Sequence, residues 1–333
     1  MGKKIRKALA AAALAGAAAY GGACEVLFRM ALTRDSLTLP GPLARFTGKG
    51  SGERENDYSR GKKLGVAWCE AQPMKDVWIT ADDGVRLHAK FFPAGAGDGA
   101  GKEGPKRAVL CAHGYRVSGF WDFGGQTRWL HRIGCDVLLI DERGTNSSGG
   151  DYITYGALEK KDIARWAVWL DHHEGGNLPI YLFGVSLGGA SVEMASELPM
   201  PSSVKGVIAD CGYSSVRDIF ADQASRVLHL PPYPLLWIEE LNCRLRAGFS
   251  FADADAAAAL HRNRKLPVLF IHGTADTFVL PENGERNYIA CSAPKRIVWV
   301  QGAAHAASYL TDKELYEREG EKFFKEVEDG TFC

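Results

Sequence analysis

Ile180-Tyr181-Leu182-Phe183-Gly184-Val185-Ser186-Leu187-Gly188-Gly189 is the stretch on which the reading of this chain turns. Its first four residues are apolar, enough for one buried strand, and a helical run from Ala190 to Leu198 follows and stops before Pro199. Gly-x-Ser-x-Gly between a strand and a helix fits a turn so tight that side chains at 184 and 188 would collide, and glycine removes them. Ser186 would then stand at the top of a sheet and at the N-terminus of a helix, where backbone N–H groups can stabilise an oxyanion. In a chain with 38 glycines the string alone is a weak signal. The flanking strand and helix strengthen it, and a base and an acid at the right places downstream would decide it.

Working outward, short apolar runs alternate with helical ones. Ala108–Ala112 reads as a buried strand ending in His113-Gly114-Tyr115, and Val137–Ile140 as another, followed by the turn Asp141-Glu142-Arg143-Gly144. Val204–Ala209, Val268–Ile271 and Arg296–Val300 continue the series. Upstream, Val77 and Ile79, then Asp82-Asp83-Gly84, then Leu87, Ala89 and Phe91 make a β-hairpin. Ile163, Trp166, Ala167 and Leu170 mark one helical face; Tyr316, Phe323, Phe324 and Val327 mark another, with Thr311 and Glu314 at capping-box spacing. A hairpin followed by alternating strands and helices is an α/β fold with a mostly parallel sheet. Residues 213–262 interrupt the alternation with helical, proline-punctuated sequence.

In such a sheet the active site lies beyond the carboxyl ends of the strands. Two loops there carry the needed chemistry: His272-Gly273-Thr274-Ala275-Asp276 and Gln301-Gly302-Ala303-Ala304-His305. A serine hydroxyl needs a base to become a nucleophile, and a carboxylate behind a histidine fixes its tautomer and stabilises the imidazolium. Ser186, Asp276 and His305 occur in the order Ser, Asp, His, each in a loop beyond a strand. Asp210, which also ends a strand, competes for the role of acid. The oxyanion needs two donors: Leu187 N–H is one, and Tyr115 N–H, or Arg116 N–H in its place, the other. His113, His272, Asp141 and Arg143 read as structural.

From about Asp76 to the C-terminus the chain resembles the α/β-hydrolase superfamily. The resemblance rests on His113-Gly114-Tyr115, Asp141–Gly144, Gly184–Gly189, Asp210–Tyr213, His272–Asp276 and Gly302–His305. It is closest to bacterial hydrolases with an N-terminal membrane anchor, near the serine-aminopeptidase and monoglyceride-lipase-like branch. The resemblance implies an eight-stranded sheet with helices on both faces and a small helical cap inserted after the sixth strand. It implies a serine hydrolase acting on carboxylic esters, with a small-molecule or lipid-like substrate and no cofactor. A peptidase or amidase of the same fold is the alternative, with Glu239 and Glu240 as a hint of a site for a substrate amine. A non-catalytic binding protein would show a broken triad. The cap's apolar residues, Leu235 and Trp237 above all, are expected to form the acyl pocket.

Hydrophobic residues make up 46% of the 333, ample for a large core, and Lys+Arg 40 against Asp+Glu 40 leaves nothing to suggest a nucleic-acid partner. The eight cysteines show no Cys-x-x-Cys pair and read as small buried residues, not as a metal motif or a disulfide framework. At the N-terminus Lys3, Lys4, Arg6 and Lys7 precede an alanine-rich run, Ala8–Cys24, in the pattern of an export signal. An uncleaved anchor over 1–32, with the catalytic domain outside the membrane, is the leading expectation. A secreted form cleaved near Ala17 or Ala19, a lipoprotein using Cys24, and an alanine-rich soluble helix stand beside it. Residues 33–74 read as a linker or arm, and 75–333 as the catalytic domain. Oligomeric state is not legible.

Overall fold

The computed structural model describes residues 20–35, 57–94 and 104–333. Eight strands form one sheet: β1 (Lys75–Thr80), β2 (Arg86–Phe92), β3 (Arg107–Ala112), β4 (Cys135–Ile140), β5 (Ile180–Val185), β6 (Val204–Asp210), β7 (Val268–Gly273) and β8 (Lys295–Val300). Their order is β1-β2-β4-β3-β5-β6-β7-β8. The β1–β2 hairpin and the β2–β4 pair are antiparallel; every pair from β4 to β8 is parallel. This is the α/β-hydrolase fold.

The central strands are apolar throughout because helices cover both faces. Along β3 and β5 the side chains alternate: Val109, Cys111, Tyr181 and Phe183 enter one core layer, while Leu110, Ala112, Ile180 and Leu182 enter the other. The first layer is completed by helices α3 (Gly119–Arg132) and α11 (Lys313–Glu328), the latter following the short α10 (Ser308–Thr311), through Trp129, Tyr316, Phe323 and Phe324. The second takes α4 (Glu159–His173) and the elbow helix α5 (Leu187–Ala195), through Trp166, Leu170 and Val192. The N-cap of α11 is Asp312, whose side chain accepts from Leu315 N–H. The Thr311–Glu314 capping box expected from spacing is therefore one residue out of register.

Two N-terminal helices pack on this frame. Helix α1 spans residues 20–32, and α2 is Asp57–Glu70. The arm expected over 33–74 thus contains a packed helix. Its contact with α3 is backbone to backbone: a Cβ on Gly65 would lie 2.8 Å from Gly125 N, and one on Gly124 would lie 2.4 Å from Gly65 C. Of the apolar run Ala8–Cys24, residues 8–19 lie outside the described residues. Among the described residues no helix is long and apolar enough to cross a membrane.

The insert after β6 forms α6 (Val216–Asp222), α7 (Pro232–Asn242) and α8 (Ala256–Arg262), with π-type turns extending α6 and α7. The last of these is not part of a cap: it packs against α5 and against α9 (Pro281–Ala290), as a crossover helix of the main fold. The cap therefore ends before Ala256, short of the expected boundary at 262.

Candidate active site

β5 delivers Ser186 into a turn with φ 56° and ψ −114°, a strained conformation for a residue with a side chain. The turn survives because its flanks are glycine. A Cβ on Gly184 would sit 2.1 Å from Gly188 O, and one on Gly188 would sit 1.9 Å from Ala112 O. Ser186 N–H donates to Asp210 O at 2.8 Å, fixing the turn to β6.

Ser186 Oγ lies 2.8 Å from His305 Nε2, and His305 Nδ1 lies 2.7 Å from Asp276 Oδ2. The three residues that the sequence placed in separate loops are thus in one hydrogen-bonded line. Asp276 is buried, and its Oδ1 accepts from the amides of Phe278 (2.8 Å) and Val279 (2.9 Å). Burial alone would raise its pKa. Hydrogen bonds with His272 and His305, the His305 charge and the Phe278 amide outweigh that and hold the carboxyl well below the usual carboxylate range. His272 Nε2 lies 2.9 Å from Val279 O, so this histidine braces the Asp276 loop.

Asp210 is placed elsewhere. Its two oxygens accept from Ser308 Oγ and Tyr316 OH, both at 3.0 Å, and it makes no bond to His305. Arg143 forms a fork to Asp162 at 2.6 and 2.7 Å and reaches Asp83 at 2.7 Å, tying its turn to α4 and the hairpin. His113 is fully buried; its Nδ1 bonds Gly114 O at 2.7 Å and its Nε2 accepts from Glu142 N–H at 3.2 Å. It links the loop after β3 to the turn after β4. One group of metal-ligating type occurs among the described residues, Cys211, Asp276 and His305, with ligand atoms within 4.8 Å. The His305–Asp276 hydrogen bond already engages two of its members.

Tyr115 follows Gly114, whose amide is held by Asp122 Oδ2 at 2.7 Å. Leu187 N–H is the first amide of α5 and has no carbonyl within its own helix to bond. Both residues line the cavity that Ser186 and His305 face. The loop carrying Tyr115 and Arg116 is tied to the end of α1. Tyr115 OH lies 2.9 Å from both Met30 O and Ala31 O, and Arg116 reaches Arg34 O at 2.9 Å and also Thr33 O. The last carbonyls of α1, which have no partner in their own helix, are satisfied by the very loop that flanks the serine.

The cavity holds about 370 Å³ and its walls are mainly apolar. Leu235, Leu236 and Leu228 of the insert form part of its wall. Trp237 does not line it: its side chain is 63% exposed, and the expectation that it forms the acyl pocket is corrected here. Two residues along a helix are about 200° apart, so Leu235 and Trp237 cannot both face the cavity. Leu27, Met30 and Ala31 of α1 and Tyr58 of α2 complete the wall. Sequence reasoning missed them, although Leu27, Met30 and Ala31 stand at i, i+3, i+4, the spacing of one helical face.

Residues 121–330 match the prolyl oligopeptidase family, Peptidase S9. The chain belongs to the prolyl oligopeptidase family. The match spans the elbow, both downstream loops and the cap, so the chain is a hydrolase of that family. The uncharacterized protein YqkD of Bacillus subtilis is 26% identical over 230 residues, covering 68% of this chain and 73% of that protein. The fold is shared with the esterase Pf2001 of Pyrococcus furiosus at a TM-score of 0.60 and 22% identity, covering 77% of this chain and 93% of that one. It is shared too with a puromycin-hydrolyzing peptidase of Mycobacterium tuberculosis, at a TM-score of 0.55 and 20% identity, covering 73% of this chain and 38% of that one.

Proposed function

We propose that this S9-family protein is a serine hydrolase of carboxylic esters with an apolar acyl chain. The observation that carries the reading is the Ser186–His305–Asp276 line, at 2.8 and 2.7 Å, opening into an apolar cavity. In this reading His305 Nε2 takes the Ser186 proton as Oγ attacks the ester carbonyl, and Asp276 stabilises the imidazolium. The amides of Leu187 and Tyr115 receive the oxyanion. His305 then protonates the leaving alcohol, and a water, activated by the same nitrogen, releases the acid. The acyl chain lies along Leu235, Leu236 and Leu27.

A peptidase reading is favoured by one feature. Glu239 lines the same cavity and is 5% exposed, and a carboxylate there would pair with a substrate amine. Rates on p-nitrophenyl esters of graded length and on aminoacyl anilides separate the two. The ester reading expects esters to be cleaved with an optimum at medium or long acyl chains. Anilides cleaved in preference to every ester would replace it. Leu235→Ala should lengthen the preferred chain and slow the former optimum about tenfold, since one methylene in a pocket is worth roughly 1–3 kcal/mol. An unaltered chain-length profile would mean that Leu235 only packs.

Glu239 also sets a pH dependence. Burial pushes its carboxyl up from 4.5 to about 7. The unfolded chain ionises first, so the folded state loses stability as pH rises from about 4.5 to about 7. Glu239→Gln should therefore be more stable than wild type by roughly 1–3 kcal/mol above pH 7 and no more stable below pH 4. Denaturant melts at the two pH values check this.

We further propose that the chain is tethered through the part of the run Ala8–Cys24 that precedes residue 20, with its catalytic domain outside the cytoplasmic membrane. The packing of α1 favours forms that keep residue 20 onward. Cys24 is buried against Ala224 and Leu235, where a lipid could not be attached without unseating it.

A further inference from the structure

Of the fourteen large apolar side chains exposed among the described residues, six lie between 227 and 245 in the cap. They are Val227, Leu230, Tyr233, Trp237, Leu241 and Leu245, exposed by 42–76%. Trp237, Leu241 and Leu245 recur every fourth residue along α7 and its π-type extension, a spacing that keeps them on one side of the helix, and Tyr233, extended at the kink where α7 opens, brings its ring to 5.1 Å from that of Trp237. The opposite side carries Leu235, Leu236 and Glu239, which line the cavity, and the buried Cys243. So the helix has two apolar faces, and only one is used by the fold. A soluble surface rarely concentrates apolar side chains in this way without a partner.

Where the chain enters the described protein says what that partner is. The described part of α1, residues 20–32, lies against the cap. Cys24 packs on Leu235, Glu25 pairs with Arg246 at 2.6 Å, and Arg246 stacks over Phe28 at 4.0 Å. The alanine-rich run that follows Lys3, Lys4, Arg6 and Lys7 therefore leads into a helix seated on the cap, whose partner Arg246 adjoins Leu245 in sequence. Tyr20 and Val26 of α1 are exposed as well. Tryptophan and tyrosine among leucines, on one face of a surface helix, are the composition of a segment lying in a membrane interface.

We propose that the outer face of α7, Tyr233–Trp237–Leu241–Leu245, rests on a lipid bilayer. The cap then has one face in the membrane interface and the other on the cavity, so a lipid-borne substrate needs to cross only the cap to reach Ser186. The docking itself does not depend on the reaction.

The test uses the full chain reconstituted in phosphatidylcholine–phosphatidylglycerol vesicles. Cys333, exposed at the C-terminus, is replaced by serine, and Leu241→Cys carries a solvatochromic dye; the other seven cysteines are buried. The expected result is quenching by brominated lipid and protection from aqueous iodide. Adding Trp237→Gln and Leu245→Gln should weaken docking at least about tenfold, a factor of the order expected when one large apolar side chain is removed from lipid. That loss should appear as iodide access. Iodide quenching of the Leu241→Cys dye in vesicles, with no effect of brominated lipid, would overturn the proposal. An unfolding midpoint equal to wild type certifies the labelled protein, whether or not the hydrolase reading holds.

Discussion

Ser186→Ala should lower ester turnover about 10⁵–10⁶-fold, with binding of substrate and stability nearly unchanged. The magnitude follows, in the proposed mechanism, from the loss of the hydroxyl that His305 Nε2 contacts. Stability should hold because alanine keeps the same backbone: φ stays near 56°, and Gly184 and Gly188 still permit the turn. Single-turnover kinetics beside thermal melts check both halves. A variant that retains a tenth of the activity would place the nucleophile elsewhere.

Asp276→Asn should cost about 10⁴ in turnover, and Asp210→Asn far less. The two carboxylates are both buried and both end strands, yet they face different partners. Asp276 accepts from His305, whereas Asp210 is occupied by Ser308 and Tyr316. An asparagine at 276 still accepts the Phe278 and Val279 amides through its carbonyl, so the loop holds. Its NH₂ then confronts His305 Nδ1 and favours the tautomer that cannot take the serine proton. Asp210→Asn should appear instead as a stability change, because one of two buried hydroxyl donors loses its carboxyl oxygen acceptor. The depressed carboxyl of Asp276 adds a pH signature. Its contribution to stability is complete above the unfolded carboxylate pKa of about 3.9 and fades as pH falls toward its folded value. Asp276→Asn should flatten that acid limb of the stability curve.

What the sequence made legible is what local chain geometry enforces. The elbow needs glycine at fixed offsets from Ser186, and a parallel sheet gathers its strand-end loops on one edge, so the meeting of Ser186, Asp276 and His305 could be expected from the sequence. The sixth-strand insert was visible as a break in alternation. The rest depends on which faces meet. Trp237 and Leu235 belong to one apolar run, and only the seating of α7 on the cavity decides that Leu235 turns inward and Trp237 outward. The Gly65–Gly124 contact that seats α2 is a meeting of two backbones and leaves no hydrophobic period to read. Helix α1 was hidden for another reason. Its composition matches an export signal, so the same apolar residues admitted an explanation that needed no packing. Yet Leu27 and Met30 line the cavity, and Tyr115 and Arg116 hold the carbonyls of the α1 terminus.

The measurement that tests the central claim most directly is covalent labelling with a fluorophosphonate, followed by peptide mapping by mass spectrometry. The geometry predicts one adduct per chain, on the peptide containing Ser186, formed in wild type and absent in Ser186→Ala. An adduct on any other residue, or an equal adduct in the variant, would contradict the account.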